Sequence, residues 1–171
     1  MNGGLKMVNI HNFIASLKCT WIKKLTQCHK PWMDIFKVIN GNDFQKRLID
    51  FGDVYLLDKI QRNNIFWQDI FVSFMCFMKK MNQRLCNTKQ IFNIPVWYNS
   101  GIKIGGKHVF IETLYLNGVT TIGDFLNENG ILLSRKDFME RFHLSHIPPM
   151  QYNSNIRAIS KYMSFLSIDR S

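Results

Sequence analysis

Between Asn63 and about Arg84 the chain sets Phe66, Trp67, Ile70, Phe71, Phe74, Phe77, Met78 and Met81 at helical spacing, on an apolar face too broad for a helix lying at a surface. Such a helix needs cover on more than one side, from the rest of this chain or from a parent protein or partner. Asn63-Asn64 supplies its N-cap, because a short amide side chain accepts hydrogen bonds from the first free backbone N–H groups. The richest apolar run, Ile70 to Met78, is interrupted by Ser73 and halted by Lys79-Lys80, well short of the roughly 18 residues of a spanning helix. No membrane partner is expected.

A second amphipathic helix is predicted over 9–27, where Ile10, Phe13, Ile14, Leu17, Trp21 and Leu25 share one arc, and that arc is expected to be buried. Lys23 points away from it, while Lys18 and Lys24 flank it, where their stems can lie along apolar surface. Pro31-Trp32 ends this helix and suits a restart. Short helices are expected over 32–39 and 44–50, around the turn-rich Asn40-Gly41-Asn42-Asp43.

The pattern changes near Ile94. IPVWYNS and IKIGGKHVFI read as extended segments, the second folded at Gly105-Gly106 because two glycines supply the positive φ of a primed hairpin turn. A short helix over 121–127 stopped by Asn129-Gly130 should follow, then a helix through Phe142 opened by Ser134 and Asp137 at capping-box spacing. Pro148-Pro149 breaks the chain before a last helix over about 153–166. The expected fold is α+β, mainly α: an N-terminal helical bundle over 1–90, then one β-hairpin and short C-terminal helices over 91–171, as two segments or one continuous domain.

Charge is unevenly placed. The chain has 22 Lys plus Arg against 12 Asp plus Glu, and residues 1–107 hold the whole excess. This suits a polyanionic partner, because Lys and Arg gain by releasing condensed counterions from phosphates; a merely soluble basic surface is the alternative. Lys18, Lys23, Lys24, Lys30, Lys79, Lys80 and Arg84 are the candidate nucleic-acid contacts, with Trp32 or Trp97 as stacking platforms if exposed. At helical spacing the same aromatic residues would instead fill the core.

Other chemistry finds little support. Cys19, Cys28, Cys76 and Cys86 have no paired spacing, which reads as reduced thiols, and MNGGLKMVNIHN lacks a signal-like apolar block. An intracellular location is expected, with nucleus and cytoplasm undistinguished. His143-Leu144-Ser145-His146 has ligand-like spacing without a second pair, so no metal is expected. Asp50, Asp53 and Asp58 form either a carboxylate cluster of the kind two-metal chemistry uses or, more commonly, a solvated acidic edge. G-x-S-x-G and G-x-x-x-x-G-K patterns are absent, so neither a catalytic residue nor a cofactor is expected.

Taken in order, GGLKMVNIHNFIASLKCTWIKKL, IFWQDIF, IPVWYNSGIKIGGKHVF, GVTTIGDFLNENGILLSRKDF and YNSNIRAISKYM cover nearly the whole chain. They resemble the segment that follows the reverse-transcriptase palm in polyproteins of LINE-type non-LTR retrotransposons. The family's Gly-Gly-Leu exit corresponds to Gly3-Gly4-Leu5, its Leu-Trp-Tyr-Asn-like element to Val96-Trp97-Tyr98-Asn99, and its G-x-x-x-I-x-D stretch to Gly118, Ile122 and Asp124. The palm's tyrosine, any residue and two aspartates have no counterpart; Tyr55-Leu56-Leu57-Asp58 is no substitute, and the endonuclease and Cys/His knuckle are missing too. The resemblance therefore implies a non-catalytic thumb-side fragment that helps hold template RNA and primer DNA against the palm of a parent polyprotein. The alternative is a scaffold remnant that packs on that palm without a function of its own.

Overall fold

The computed structural model describes residues 9–27, 34, 36, 37, 41, 43–56, 64–83 and 88–168. Its elements run α1 (Ile10–Gln27), α2 (Phe44–Asp50), α3 (Ile65–Gln83), α4 (Thr88–Phe92), β1 (Lys103–Ile104), β2 (Lys107–His108), α5 (Glu112–Leu116), a 3-10 turn (Ile122–Phe125), α6 (Arg135–Arg141) and α7 (Pro149–Ile168). The fold is α+β and mainly α, with a single two-stranded antiparallel sheet among the described residues. Of the helix expected over 32–39, Asp34, Phe36 and Lys37 are described, and all three are helical.

Local chemistry starts and stops these elements. Asn9 Oδ1 accepts from the N–H groups of His11 (3.0 Å) and Asn12 (3.3 Å), and Asn64 Oδ1 accepts from Trp67 N–H at 3.1 Å, so both long N-terminal helices begin on asparagine caps. Ser134 Oγ accepts from Asp137 N–H at 3.2 Å and donates to its carboxylate at 2.7 Å, the capping pair that opens α6. At the end of α6, His143 takes φ 51°, its N–H bonds Glu140 O, and Leu144 N–H reaches back to Met139 O at 2.9 Å. That is a left-handed helix stop. His143 and His146 thus belong to a chain reversal. Gly118 (φ 88°) ends α5 in the same way, with Val119 N–H on Leu114 O.

Three expectations change. The segment IPVWYNS is a corner and not a strand: only Pro95 makes an antiparallel bridge, to Thr121, and Tyr98 sits at φ 52°. The helix expected over 121–127 is the shorter 3-10 turn, after which Leu126 is extended and bridges Leu132. Asn127 Oδ1 holds that reversal by accepting from the N–H groups of Asn129 and Ile131. Finally, Pro149 is the first residue of α7, which is 20 residues long and so not short; Pro in the first turn gives up an N–H that has no helical partner anyway.

Edge-to-face, tilted and stacked aromatic contacts thread a continuous core. Phe36 and Phe44 pack on Phe71 of α3, and Phe51, Tyr55, Tyr98, Phe110 and Tyr115 carry the packing toward the hairpin. Phe125 stacks on Phe138 at 4.8 Å, which in turn meets Tyr152 of α7. Hydrogen bonds join the segments before and after residue 90: Gly52 N–H to Trp97 O (2.8 Å), Val54 N–H to Tyr98 O (3.0 Å), and Tyr115 Oη to Asp50 Oδ2 (3.0 Å).

Candidate nucleic-acid interface and docking face

Helices α1 and α3 run antiparallel. Trp21 meets Phe66 and Trp67 edge-on at 5.3 and 6.2 Å, and three residues earlier on α1 Lys18 Nζ reaches Asp69 of α3 at 2.7 Å. Beyond that pair Asn12, Ala15, Ser16 and Cys19 of α1 and Ser73, Cys76, Phe77 and Lys80 of α3 line a groove between the helices. The side turned to α3 is therefore not the arc that the apolar spacing marks.

This overturns the expected burial of that arc over its first four residues, while Trp21 and Leu25 at its C-terminal end are covered. Ile22 and Leu25 are buried and Trp21 is half-buried, whereas Ile10, Phe13, Ile14 and Leu17 are 66, 52, 42 and 49% exposed. The physical reason is that α3 turns Phe71 toward Phe36 and Phe44 and buries Ile70 beside it in sequence, leaving one flank for α1 and contacting only its C-terminal half through large side chains. Ile65 and Phe66 of α3 are exposed next to Trp21, so the open strip continues onto the second helix.

The described candidate lysines differ in their surroundings. Lys18 is ion-paired to Asp69, and Lys24 Nζ lies 4.2 Å over the Trp21 ring, a cation–π contact. Lys23 is exposed. Lys79 and Lys80 are consecutive on α3 and line different clefts. Lys79 borders one of about 230 Å³ with Asp53, Ser100, Gly101, Tyr162 and Phe165. Lys80 borders the groove between α1 and α3, about 520 Å³. Lys30 and Arg84 lie outside the described residues, as does Trp32.

Trp97 is not available for stacking: it is 0% exposed, and its indole Nε1–H donates to Val119 O at 2.6 Å. The whole Val96–Asn99 element is a buried joint. Asn99 Nδ2 donates to Pro95 O while its Oδ1 accepts from Gly101 N–H, and a side chain at Gly101 would collide with the Tyr162 ring. Gly52 packs so closely that a Cβ there would lie 2.8 Å from Asn99 Cα. Sequence reading named Val96, Trp97, Tyr98 and Asn99 but not their role; the one local signal was the asparagine and glycine, Asn99 and Gly101, that follow the aromatic pair.

Asp50 and Asp53 are also structural. Asp50 accepts from Tyr115, Asp53 Oδ1 accepts from Ser100 N–H at 2.9 Å, and Asp58 lies outside the described residues. Asp124 Oδ2 accepts from the N–H groups of Thr120 and Thr121, both at 2.7 Å, so the G-x-x-x-I-x-D stretch is a helix stop, a buried isoleucine and a cap in succession. Among the described residues no three His, Cys, Asp or Glu side chains gather as a metal site, and no helix is long and apolar enough to cross a membrane. No protein-family model, curated protein or solved structure matches the chain.

Proposed function

We propose that this chain is a non-catalytic docking segment, whose α1 outer face seats on a larger protein body. The observation that carries the reading is the open strip Ile10, Phe13, Ile14 and Leu17, four apolar residues at i, i+3, i+4 and i+7. Size argues for a large partner. Four half-open side chains expose roughly 400 Å² of apolar surface, at the level where a patch marks an interaction site. Two copies paired through these four side chains alone would bury only about 800 Å², no more than a packing contact. Under the resemblance to LINE-type retrotransposon proteins, the body is the polymerase palm. The test is sedimentation of the purified chain, alone and with the fingers–palm part of such a polymerase. Association expected for the native chain should be lost in Phe13→Glu with Leu17→Glu; equal sedimentation of chain and variant in the mixture would end this reading.

A second reading, a template- and primer-holding role, is favoured by the basic excess of residues 1–107 and by exposed Lys23, Lys24, Lys79 and Lys80. If those four meet phosphates together, affinity for RNA should fall with salt at a log–log slope of about −3 to −4. A slope near zero would remove it.

A further inference from the structure

The groove between α1 and α3 is a separate feature from the strip on the outside of α1. Its walls are Ala15, Ser16 and Cys19 facing Ser73, Cys76 and the larger Phe77, with Asn12 and Lys80 among the residues that line it. Small residues facing one another leave about 520 Å³, within the range of small-molecule sites. Both serine hydroxyls are turned onto their own helices, Ser16 Oγ to Phe13 O at 2.7 Å and Ser73 Oγ to Asp69 O at 2.8 Å, so neither needs a partner in the groove. Burial pushes the Cys19 thiol above its ordinary range, which keeps it neutral. The walls are thus apolar in character, and the full positive charge at the groove belongs to Lys80, which makes no ion pair among the described residues.

We infer that this groove binds a single-chain amphiphile with an anionic head, a free long-chain carboxylate, its tail between the small side chains of α1 and α3 and its carboxylate on Lys80. Length and chemistry agree. The groove follows the helix pair from Cys19 toward Asn12, so it is elongated, and a cation at an otherwise apolar slot selects one charged end and no second one.

Titration calorimetry with dodecanoate, in a background where Cys28 and Cys86 are serine, tests this. One-to-one binding is expected, and saturating dodecanoate should slow iodoacetamide alkylation of Cys19 and Cys76 at least about ten-fold by covering both thiols. Dodecanol should bind about five-fold more weakly, and Lys80→Glu should lose about as much for dodecanoate while gaining for dodecyltrimethylammonium. Ser73→Leu, checked for folding by circular dichroism, should abolish binding by filling the groove. Phe13→Glu with Leu17→Glu should leave binding unchanged, which separates the groove from the outer strip. Absent binding, binding without thiol protection, equal affinity for dodecanol, or uptake only on anionic vesicles would each overturn the inference.

Discussion

The α1–α3 pair and the joint around Trp97 are built on opposite principles. The pair is held by one edge-on aromatic cluster and one ion pair, and much of its apolar surface stays open. The joint is held by directional bonds at almost every residue: Val96 N–H to Thr120 O, Trp97 Nε1–H to Val119 O, Tyr98 N–H to Val109 O, and the Asn99 amide on both sides. Hydrophobic attraction has no preferred direction, so an amphipathic helix settles wherever area is available. Buried hydrogen bonds admit one arrangement, because each partner left behind is costly.

The largest expected effect is at the joint. Trp97→Ala removes a fully buried indole and leaves Val119 O without its donor, and should cost about 3–5 kcal/mol in urea unfolding. A loss below about 1 kcal/mol would mean that the joint is no more directional than the helix pair. Gly52→Ala comes next. Its methyl would press on Asn99 Cα and Tyr98 O, both at 2.8 Å and both backbone, so about 1–3 kcal/mol should be lost. Gly41→Ala is the contrasting glycine, with open space around it and φ 93°, so any loss there reports backbone strain alone.

Alkaline pH probes the same region. Burial, and then its hydrogen bond to Asp50, push Tyr115 up to about 12; burial, and then the charge of Asp137, push Tyr152 up to about 12. The fold therefore favours the protonated phenols. Their contribution is complete below the unfolded value near 10 and is lost as pH rises toward 12. Phenolate absorbance and loss of helical signal should rise together in that window, and Tyr115→Phe should flatten the fall. Phenols ionising near pH 10 in an intact fold would contradict it.

How far the sequence could be read follows the same division. Periodicity located α1 and α3 within a residue or two, and cap spacing located the start of α6, since both signals are local. Which arc of α1 is buried was not legible, because the apolar arc is visible in the sequence and the neighbour that must cover it is not. The choice between stacking platform and core for Trp97 was not legible for a related reason: its donor bond crosses 22 residues to Val119 O, and no local pattern announces it. The lysines were legible as charge, but the neutralisation of Lys18 was not, since it depends on the register of two helices 51 residues apart.

Smaller effects belong to the helix pair. Lys18→Ala should cost about 0.2–1 kcal/mol, because both partners of its ion pair are partly exposed and water screens them. High salt should shrink even that.

The smallest expected change is the most informative about the comparison. Phe13→Glu with Leu17→Glu alters two large apolar residues on the arc that periodicity marks as core, and in a buried arc such changes would cost several kcal/mol through an unpaired buried charge. On an open strip each should fall within about ±0.5 kcal/mol. The two values differ by enough for a single unfolding curve to separate them. Near-neutral stability, with palm association lost in the same variant, would mean that the apolar arc of α1 serves an interface and not the core. A loss as large as that of Trp97→Ala would instead mean that this chain covers the strip itself, and the contrast between an open helix pair and a closed joint would no longer hold.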